Sequence, residues 1–381
     1  MKKNYLLSPG PTPVPERVLL AMAQPVIHHR TPQFSALFRV CLEKLKPIFG
    51  TKNDVIILSS SGTGAMEAAV CNCFSKGEKV LVVNSGKFGE RWGQISESFG
   101  LNVVWMNIGW GNAADPGEIK KTLDADPDIK GVLMQATESS TTVKHPVKEI
   151  AAITKSRDVM LVVDGITGVG VFKIPMDDWG IDVMVGGSQK AFMMPPGLAF
   201  IALSKRAWEK ADKAKNSRFY FDLKKEKKNL AKDTTSYTAP VSLVYGLSEA
   251  LKMMEEESLP KLYERQARTA KAARAGCAAL NLKPVTQSPS EAMTGVFLPS
   301  EIDGARFVKA LRDSFGITFA GGQDQWKGKI IRIAQLGYIG DFDIVIAMSA
   351  IEMALDGFGV PVKFGSGVGA AQAVLRGGFE V

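Results

Sequence analysis

The sequence predicts an α/β protein whose main domain is built on a largely parallel sheet. Between residues 54 and 204, short apolar runs alternate with segments of helical periodicity. This alternation is typical of parallel strands joined by helices that cover both faces of a sheet. The chain has 381 residues, of which 45% are hydrophobic, so it can form a sizeable core and two domains.

An extended arm is expected at the N-terminus, over residues 4–15. The prolines in residues 8–15 disfavour both a helix and a central strand. A helix is expected to start at Pro15, since proline suits the first helical turn. Apolar residues at helical spacing predict a second helix over 33–49, which leads to the first strand of the sheet over 54–59.

A glycine turn, Ser61-Gly62-Thr63-Gly64, joins this strand directly to a helix start. Glycines permit a close approach of the backbone, and the free amide groups of a helix N-terminus attract anions. The turn is therefore a candidate phosphate site. Taken alone the signal is weak, because it matches neither a P-loop nor a dinucleotide-binding fingerprint.

The strand over 79–84 is followed by Phe88, which lies between Gly86 and Gly89. An aromatic side chain just past a strand end can stack on a flat ring, and it can equally anchor the following helix in the core. A hydroxyl-rich loop over 136–142 is expected at the same sheet edge, where such loops mostly form turns and caps. Further strands are expected over 103–106, 131–135, 159–163, 182–187 and 199–203, with helices over 116–123 and 147–156.

Two neighbouring strands end near a carboxylate and an amine. The run over 159–163 ends at Asp164, and the run over 182–187 leads to Lys190. Parallel strands place such residues at one edge of the sheet, where open α/β sheets bind ligands. The pair suits pyridoxal phosphate, whose aldehyde reacts with a lysine and whose ring nitrogen needs an acidic partner. Taken alone, the two residues fit a solvated lysine and a helix cap equally well.

The pattern changes after residue 258 and predicts a smaller α+β domain. A long helix over 262–280 precedes apolar runs at 294–298, 316–319 and 329–333 and helices over 304–314 and 341–356. We therefore divide the chain into an arm (1–15), a large domain (16–258) and a small C-terminal domain (259–381). The tail from residue 357 onward carries little signal.

Composition favours a cytoplasmic protein that acts on small molecules. The formal charge is +8, and much of the excess lies in the lysines of 224–232. Without interleaved aromatics this run predicts a solvated face or steering of anionic substrates, and no nucleic acid partner. The four cysteines lack metal-binding spacing, so no metal is expected. No apolar run approaches 18 residues, so no membrane partner is expected.

Taken together, these stretches resemble the class V, fold-type I pyridoxal-phosphate aminotransferases, in particular the alanine–glyoxylate and serine–glyoxylate (serine–pyruvate) branch. The resemblance covers nearly the whole chain, and the order and spacing of the motifs make it specific. It implies pyridoxal 5'-phosphate as cofactor and a mostly parallel sheet of the seven-stranded type. The motifs are Pro9-Gly10-Pro11, Ser61-Gly62-Thr63-Gly64, Glu138-Ser139-Ser140-Thr141, Val163-Asp164-Gly165-Ile166, Gly187-Ser188-Gln189-Lys190-Ala191, Thr238-Ala239-Pro240-Val241-Ser242 and Arg332.

The resemblance implies that Lys190 binds the cofactor aldehyde covalently and that Asp164 pairs with the ring nitrogen. A carboxylate there favours the protonated ring, which absorbs electrons when the substrate loses its α-proton. Arg332 matches the arginine that binds the substrate carboxylate in this family. The alternative is that Arg332 forms an ion pair on the protein surface. The remaining implied cofactor contacts are ring stacking by Phe88 and Ile166, a bond from Ser139 near the ring hydroxyl, and phosphate binding by Thr63, Gly64 and Gln189.

Contacts between subunits are also implied. A threonine matching Thr238 reaches the phosphate of the other subunit in this family, which implies an obligate homodimer with composite sites. Thr235 stands where the family has a tyrosine in this contact, with Tyr237 as a substitute. Phe88 stands where tryptophan is frequent, and Ala65 where a histidine can follow the phosphate glycine. Gly10 of the arm is expected near the substrate.

The expected activity is a ping-pong transamination from alanine or serine to glyoxylate or pyruvate, in which the Lys190 amine moves the α-proton. Small donors are favoured because Arg332 is the one arginine recognisable as a substrate-binding residue. No second cation is evident that could bind the distal carboxylate of a larger donor. Cysteine desulfuration is disfavoured, since residues 319–326 contain no cysteine. A pyridoxal-phosphate-dependent lyase and a non-catalytic cofactor-binding subunit are left open.

Overall fold

A computed structural model describes residues 3–378 of the chain. Its strands are β1 (Tyr5–Leu6), β2 (Val55–Ser60), β3 (Lys79–Asn84), β4 (Asn102–Asn107), β5 (Ile129–Gln135), β6 (Thr137–Glu138), β7 (Val143–Lys144), β8 (Met160–Asp164), β9 (Val183–Gly187), β10 (Gly197–Leu203), β11 (Met293–Phe297), β12 (Ile317–Thr318), β13 (Ala320–Gly321) and β14 (Ile330–Ala334). Its α-helices are α1 (Glu16–Met22), α2 (Pro32–Phe49), α3 (Gly62–Cys73), α4 (Lys87–Ser98), α5 (Pro116–Ala125), α6 (Val147–Lys155), α7 (Met176–Trp179), α8 (Lys205–Lys213), α9 (Leu223–Leu230), α10 (Val241–Glu257), α11 (Leu259–Ala279), α12 (Gly304–Ala310), α13 (Asp341–Gly357) and α14 (Ser366–Leu375).

The central sheet has seven strands in the order β2-β10-β9-β8-β5-β3-β4. Strand β10 runs antiparallel to both of its neighbours, and the other strands share one direction. The prediction of an α/β fold with a mostly parallel sheet is therefore confirmed. Because the shared direction brings their carboxyl ends to one edge, the turns after β2, β3, β5, β8 and β9 lie together there.

Helices cover both faces of this sheet, which explains why its strands read as continuous apolar runs. Along β3, Leu81 and Val83 pack into the core beneath α2, α6 and α10, whereas Val80 and Val82 pack into the core beneath α3 and α4. Successive strand residues point to opposite faces, so a doubly covered strand must be apolar at every position. The sheet is therefore packed on both faces beneath its carboxyl edge.

The C-terminal part of the chain forms a second core around the antiparallel sheet β11-β14-β13. Within the tail beyond residue 357, which carried little sequence signal, residues Ser366–Leu375 form α14, and this helix packs on α11. Glycines allow this close packing, because a Cβ on Gly276 would lie 2.9 Å from the carbonyl oxygen of Gly367. The predicted helix over 304–314 is α12 with a π-helical turn, Leu311–Phe315, at its end.

The N-terminal arm joins the two cores. Strand β1 pairs in parallel with β12, and the buried Leu7 belongs to the C-terminal core. The proline-rich residues then cross to the carboxyl edge of the central sheet. Helices α10 and α11 are separated by Ser258 alone, which has φ 69°. The division of the chain at residue 258 stays a prediction.

Two sequence-based expectations concern the surface. The lysine-rich run lies on α9, where Lys225, Lys227 and Lys228 are exposed. Within residues 3–378, no helix is both long enough and apolar enough to span a membrane. The cytoplasmic location stays a prediction.

Candidate active site

Asp164 and Lys190 lie at the carboxyl edge of the sheet, as the sequence predicts. Asp164 is the last residue of β8, and Lys190 follows the end of the adjacent parallel strand β9. The Asp164 side chain is buried and its Oδ1 accepts a 2.8 Å hydrogen bond from the amide of Ile166. The Lys190 amine donates a 2.7 Å bond to the carbonyl oxygen of Pro9 in the arm.

Burial perturbs both groups. The pKa of Asp164 is raised to about 7, mainly by burial and to a smaller extent by the charge of Glu138, while the hydrogen bond from the Ile166 amide opposes the shift. Burial lowers the pKa of Lys190 to about 8, although the Asp164 charge opposes this shift. A lysine with this pKa carries a much larger neutral fraction near pH 7 than a solvated lysine, so it is a competent nucleophile toward an aldehyde.

The arm closes over Lys190. A Cβ on Gly10 would lie 2.3 Å from the Lys190 Nζ atom, and the backbone has φ 155°, so this position favours glycine. Thr12 fixes the backbone of the lysine turn, since its amide donates to the Gln189 carbonyl at 3.1 Å and its Oγ1 donates to the Lys190 carbonyl at 2.9 Å. The structure thus places the predicted residue Gly10 directly against the amine.

The predicted phosphate turn forms the N-terminus of α3, at the same edge. A Cβ on Gly62 would lie 2.4 Å from the Ile166 Cδ1 atom, so this glycine permits close contact with the turn after β8. The amide of Gly64 donates to the Ser61 carbonyl at 2.9 Å. The amide of Thr63 has no acceptor within residues 3–378, and is therefore free to bind an anion.

Gln189 has unused hydrogen-bonding capacity at this place. Its Oε1 atom is buried without a partner among the described residues. A Cβ on Gly187 would lie 3.1 Å from that oxygen and 3.4 Å from Ile166 Cγ2, which places the amide beside Ile166. An unpaired buried polar atom costs about 1–3 kcal/mol, and rotation of the amide exchanges its oxygen for NH₂ donors. Gln189 therefore suits an anionic ligand.

Phe88 is the second residue of α4 and is partly buried. Its ring carries the guanidinium of Arg91, 4.9 Å from the ring centroid. Arg91 Nη1 also donates to Thr63 Oγ1 at 3.1 Å, and no carboxylate lies within 4 Å of Arg91 in residues 3–378. Arg91 was not predicted as a site residue from the sequence, although its spacing of three residues from Phe88 puts both on one helix face.

Glu138 is a second residue whose role was missed. Its buried carboxyl accepts hydrogen bonds from the amides of Phe88 at 3.1 Å and Gly89 at 3.0 Å, in the first turn of α4, and from Ser140 Oγ at 2.6 Å. A Cβ on Gly86 would lie 2.7 Å from its Cδ atom. Burial raises the pKa of Glu138, and these hydrogen bonds oppose the shift. Glu138 therefore fixes the start of α4 and the position of Phe88.

Arg332 lies on β14 and is buried, so it is not a surface ion-pair residue. Its Nη1 donates to the Ser139 carbonyl at 2.6 Å, while Nε and Nη2 donate to the Gly321 carbonyl at 3.0 and 2.9 Å. Burial lowers the pKa of Arg332 to about 10. No carboxylate lies within 4 Å of it in residues 3–378. A guanidinium has five N–H groups, so two stay free for a ligand carboxylate.

Ser139 accepts the bond from Arg332 through its carbonyl oxygen, and its side-chain Oγ lies 2.6 Å from Thr167 Oγ1. Thr235 and Thr238 make no hydrogen bond to Ser139, Arg332, Asp164 or Lys190 in the described part of the chain. Thr238 is exposed, and Thr235 Oγ1 donates to the Tyr237 carbonyl at 2.6 Å. Ala65 is buried in α3.

The residues at this edge fit pyridoxal phosphate. They provide an amine of lowered pKa, a buried carboxyl group, a free amide at a helix N-terminus, an amide side chain with unmet bonding capacity, and apolar side chains for a ring. Arg332 adds a site for a carboxylate. Within residues 3–378, no group of three or more His, Cys, Asp or Glu side chains lies close enough together to hold a metal ion.

Comparison with known proteins gives a family. The family model of class V aminotransferases matches residues 4–327. The chain is 40% identical to a protein of Synechococcus sp. named soluble hydrogenase, small subunit, over 98% of each chain. It is 35% identical to serine–glyoxylate aminotransferase of Methylorubrum extorquens, over 98% of this chain and 96% of the relative.

The fold is also similar to a solved structure. Ureidoglycine–glyoxylate aminotransferase from Bacillus subtilis superposes with a TM-score of 0.94 over 99% of each chain, at 27% identity. The family match covers most of the chain, and the relatives match nearly its whole length. The chain therefore belongs to the class V aminotransferases and is a pyridoxal-phosphate-dependent transaminase.

Proposed function

We propose that this transaminase moves the amino group of a small amino acid, alanine or serine, to glyoxylate or pyruvate in two half-reactions. The observation that carries this proposal is the buried Arg332 guanidinium, held by backbone carbonyls and free of carboxylates, beside the Asp164 and Lys190 edge. The names of the Methylorubrum and Bacillus proteins support glyoxylate as acceptor.

Each residue has a distinct part in this reaction. When bound, pyridoxal phosphate supplies an aldehyde that takes up the amino group and a ring that draws electrons from the substrate Cα. Lys190 binds that aldehyde in the resting enzyme, and its freed Nζ then moves the proton at the substrate Cα. Asp164 holds a proton at the ring nitrogen. Arg332 orients the substrate carboxylate through its two free N–H groups.

The remaining contacts hold the ring and the phosphate. Phe88 and Ile166 are proposed to pack on opposite faces of the ring, and Ser139 to bond near its hydroxyl group. Thr63, Gly64 and Gln189 are proposed to bind the phosphate. Because the Gly64 amide already donates to the Ser61 carbonyl, the Thr63 amide is the stronger candidate donor of the two.

Arg91 bears on the choice of donor substrate, because the small-donor expectation relied on the absence of a second cation. Its bond to Thr63 Oγ1 and its position over Phe88 place it beside the phosphate turn. We therefore assign Arg91 to the phosphate and keep small donors in the proposal. Aspartate tests this assignment, since a donor carboxylate bound by Arg91 would make aspartate better than alanine or serine.

The proposed enzyme is a homodimer with composite sites. Thr238 is exposed and lies with Val26 along one surface cavity, and Val26 is 67% exposed. Thr238 also lies beside Tyr220, whose ring stacks on Tyr237 at 4.9 Å, next to Phe219, which is 78% exposed. Exposed apolar groups gathered around Thr238 suit a protein interface. In the dimer, Thr238 and Thr235 would serve the phosphate of the partner subunit.

Two rival functions follow from the same cofactor. A desulfurase needs a mobile, reactive cysteine, but all four cysteines are buried, and burial raises the pKa of Cys41 to about 12. A lyase would release ammonia from the amino acid without an acceptor. A cofactor-binding subunit without turnover would need none of the free N–H groups of Arg332.

A half-reaction experiment separates these functions. Serine or alanine is added to the yellow holoenzyme without an acceptor, and the absorbance of the bound cofactor is followed. A transaminase converts its cofactor once, releases one equivalent of 2-oxo acid, and returns to the yellow form when glyoxylate is added. Continuous release of ammonia would indicate a lyase, and an unchanged spectrum with every amino acid would contradict the proposal.

A further inference from the structure

A cavity of about 270 Å³ lies between α11, β11 and the chain after β6. Its walls are mainly apolar and include Leu282, Pro284, Pro289 and Val296. This volume is slightly below that of typical drug-sized pockets, and it equals the volume that about nine molecules occupy in liquid water. The cavity therefore has room for a small ligand with a compact apolar body.

One cation faces this cavity without a carboxylate partner. Arg274 of α11 lines the cavity and is half-buried, and its one hydrogen bond in residues 3–378 is a long one, from Nη1 to the Ser290 carbonyl at 3.4 Å. No carboxylate lies within 4 Å of it in this part of the chain. Glu291, whose charge acts on Arg274, is already paired with Lys144 at 2.7 Å.

A hydroxyl group without a hydrogen-bond partner among residues 3–378 also lines this cavity. Thr142 is 1% exposed and lines the cavity, yet its Oγ1 makes no hydrogen bond within residues 3–378. Its backbone has φ 58°, a left-handed conformation that is costly for a β-branched residue. Such strain persists where the surrounding structure imposes it, and it is concentrated at ligand sites. Two independent polar groups therefore point to a ligand.

The cavity is separate from the proposed active site. In the sheet register, Gly295 of β11 pairs with Arg332 of β14, while Gly295 also lines the cavity. A Cβ on Gly295 would lie 2.7 Å from Thr142 Cγ2, so this glycine makes room for the threonine side chain. Strand β11 therefore lies beside two sites, the proposed active site with Arg332 and the cavity with Arg274.

We propose that this cavity binds a small aliphatic monocarboxylate, with the carboxylate on the Arg274 guanidinium and the Thr142 hydroxyl group and the apolar body against Leu282 and Val296. A single cation in an apolar cavity selects one negative charge, and a guanidinium matches both oxygens of a carboxylate. A second charge on the ligand would be buried without a partner, which disfavours dicarboxylates.

The test uses isothermal titration of the holoenzyme with 4-methylpentanoate, which has eight non-hydrogen atoms. We expect one site with a Kd of roughly 0.1–1 mM, as ligands of this size allow. The neutral 4-methylpentanamide has the same shape and should bind at least about tenfold more weakly, since charge-assisted hydrogen bonds are lost.

Variants separate this cavity from the active site. Arg274→Met should weaken binding by roughly 10- to 100-fold and Thr142→Val by about threefold or more, whereas Arg332→Ala should leave it unchanged. Arg274→Lys keeps the charge and should bind more tightly than Arg274→Met. Transamination without the carboxylate should be unchanged in Arg274→Met, which shows that this variant is folded. Loss of binding in Arg332→Ala with retention in Arg274→Met, or no binding to wild type at 10 mM, would overturn the proposal.

Discussion

Arg332 is buried and Arg274 is half-buried, and neither has a carboxylate within 4 Å in residues 3–378, but they are held in different ways. Arg332 donates three hydrogen bonds to two backbone carbonyls, whereas Arg274 makes one long bond to one carbonyl. Carbonyls hold a guanidinium without neutralising its charge, so Arg332 is both fixed and attractive to anions. A reacting substrate requires this fixed geometry, whereas simple binding requires the charge alone.

The largest expected effect lies in the active-site region. Lys190→Ala should abolish covalent cofactor binding and lower kcat by more than about 10⁴-fold, because in the proposed mechanism one amine both binds the aldehyde and moves the proton. The measurements are the absorbance of borohydride-treated enzyme and the rate with serine and glyoxylate. Binding of 4-methylpentanoate at Arg274 should be unchanged in the same variant. A variant that still bound cofactor covalently would contradict the role of Lys190.

The next effect compares the two arginines directly. Arg332→Ala should lower kcat/KM for serine by roughly 10²- to 10⁴-fold, since two charge-assisted bonds of about 1.5–3 kcal/mol each are lost. Arg274→Met should change the same quantity by less than about twofold, because Arg274 is outside the site. Cofactor affinity, measured by fluorescence titration of the apoenzyme, should be nearly equal in both variants. Equal losses of kcat/KM would remove the distinction between the two regions.

Titration of the buried pair gives a pH-dependent effect. Because the folded-state pKa of Asp164 is raised to about 7, the folded apoenzyme holds a proton between pH 4 and 7 that the unfolded chain releases. Stability relative to Asp164→Asn should therefore fall as pH rises through this interval, by up to about 1.4 kcal/mol per pH unit. Urea unfolding of both apoenzymes at several pH values measures the difference.

Lys190 acts in the opposite direction at higher pH. Its folded-state pKa of about 8 lies below the ordinary value of 10.5, so the unfolded chain binds the extra proton between these values. The free energy of unfolding should therefore rise as pH increases from about 8 toward 10.5. The variant Lys190→Met should not show this rise. Arg274→Met should leave both pH trends intact. A wild-type profile parallel to that of both active-site variants would show that neither group is perturbed.

The smallest expected effect lies in the Arg274 cavity. Thr142→Val keeps the shape of the side chain and removes a hydroxyl group that has no partner in residues 3–378. The free energy of unfolding should stay the same or rise, within about 1 kcal/mol, because no hydrogen bond is lost. Thr294→Val is the matched control, since its Oγ1 bonds Gln335 at 3.3 Å and its loss should destabilise. A large destabilisation by Thr142→Val would reveal a partner for this hydroxyl group.

Sequence patterns were informative where a residue follows a strand directly. Asp164 and Lys190 could be placed at one edge because parallel strands bring their carboxyl ends together whatever the details of packing. Arg91 and Glu138 were missed because their roles depend on the rotation of α4 relative to the turn after β5. The helix α14 was missed because its helical pattern is weak, and its position comes from close packing on α11.

The amino-acid sequence by itself determined the alternation of strands and helices over 54–204, the family, and the residues that carry the amine and its acidic neighbour. These depend on local periodicity and on motifs that are contiguous in the chain. Only the tertiary structure decided what surrounds each charge. Arg332 is held by carbonyls of Ser139 and Gly321, which are 193 and 11 residues away, and Arg274 is left beside an apolar cavity. Such surroundings depend on the register and packing of distant segments, which no local pattern encodes.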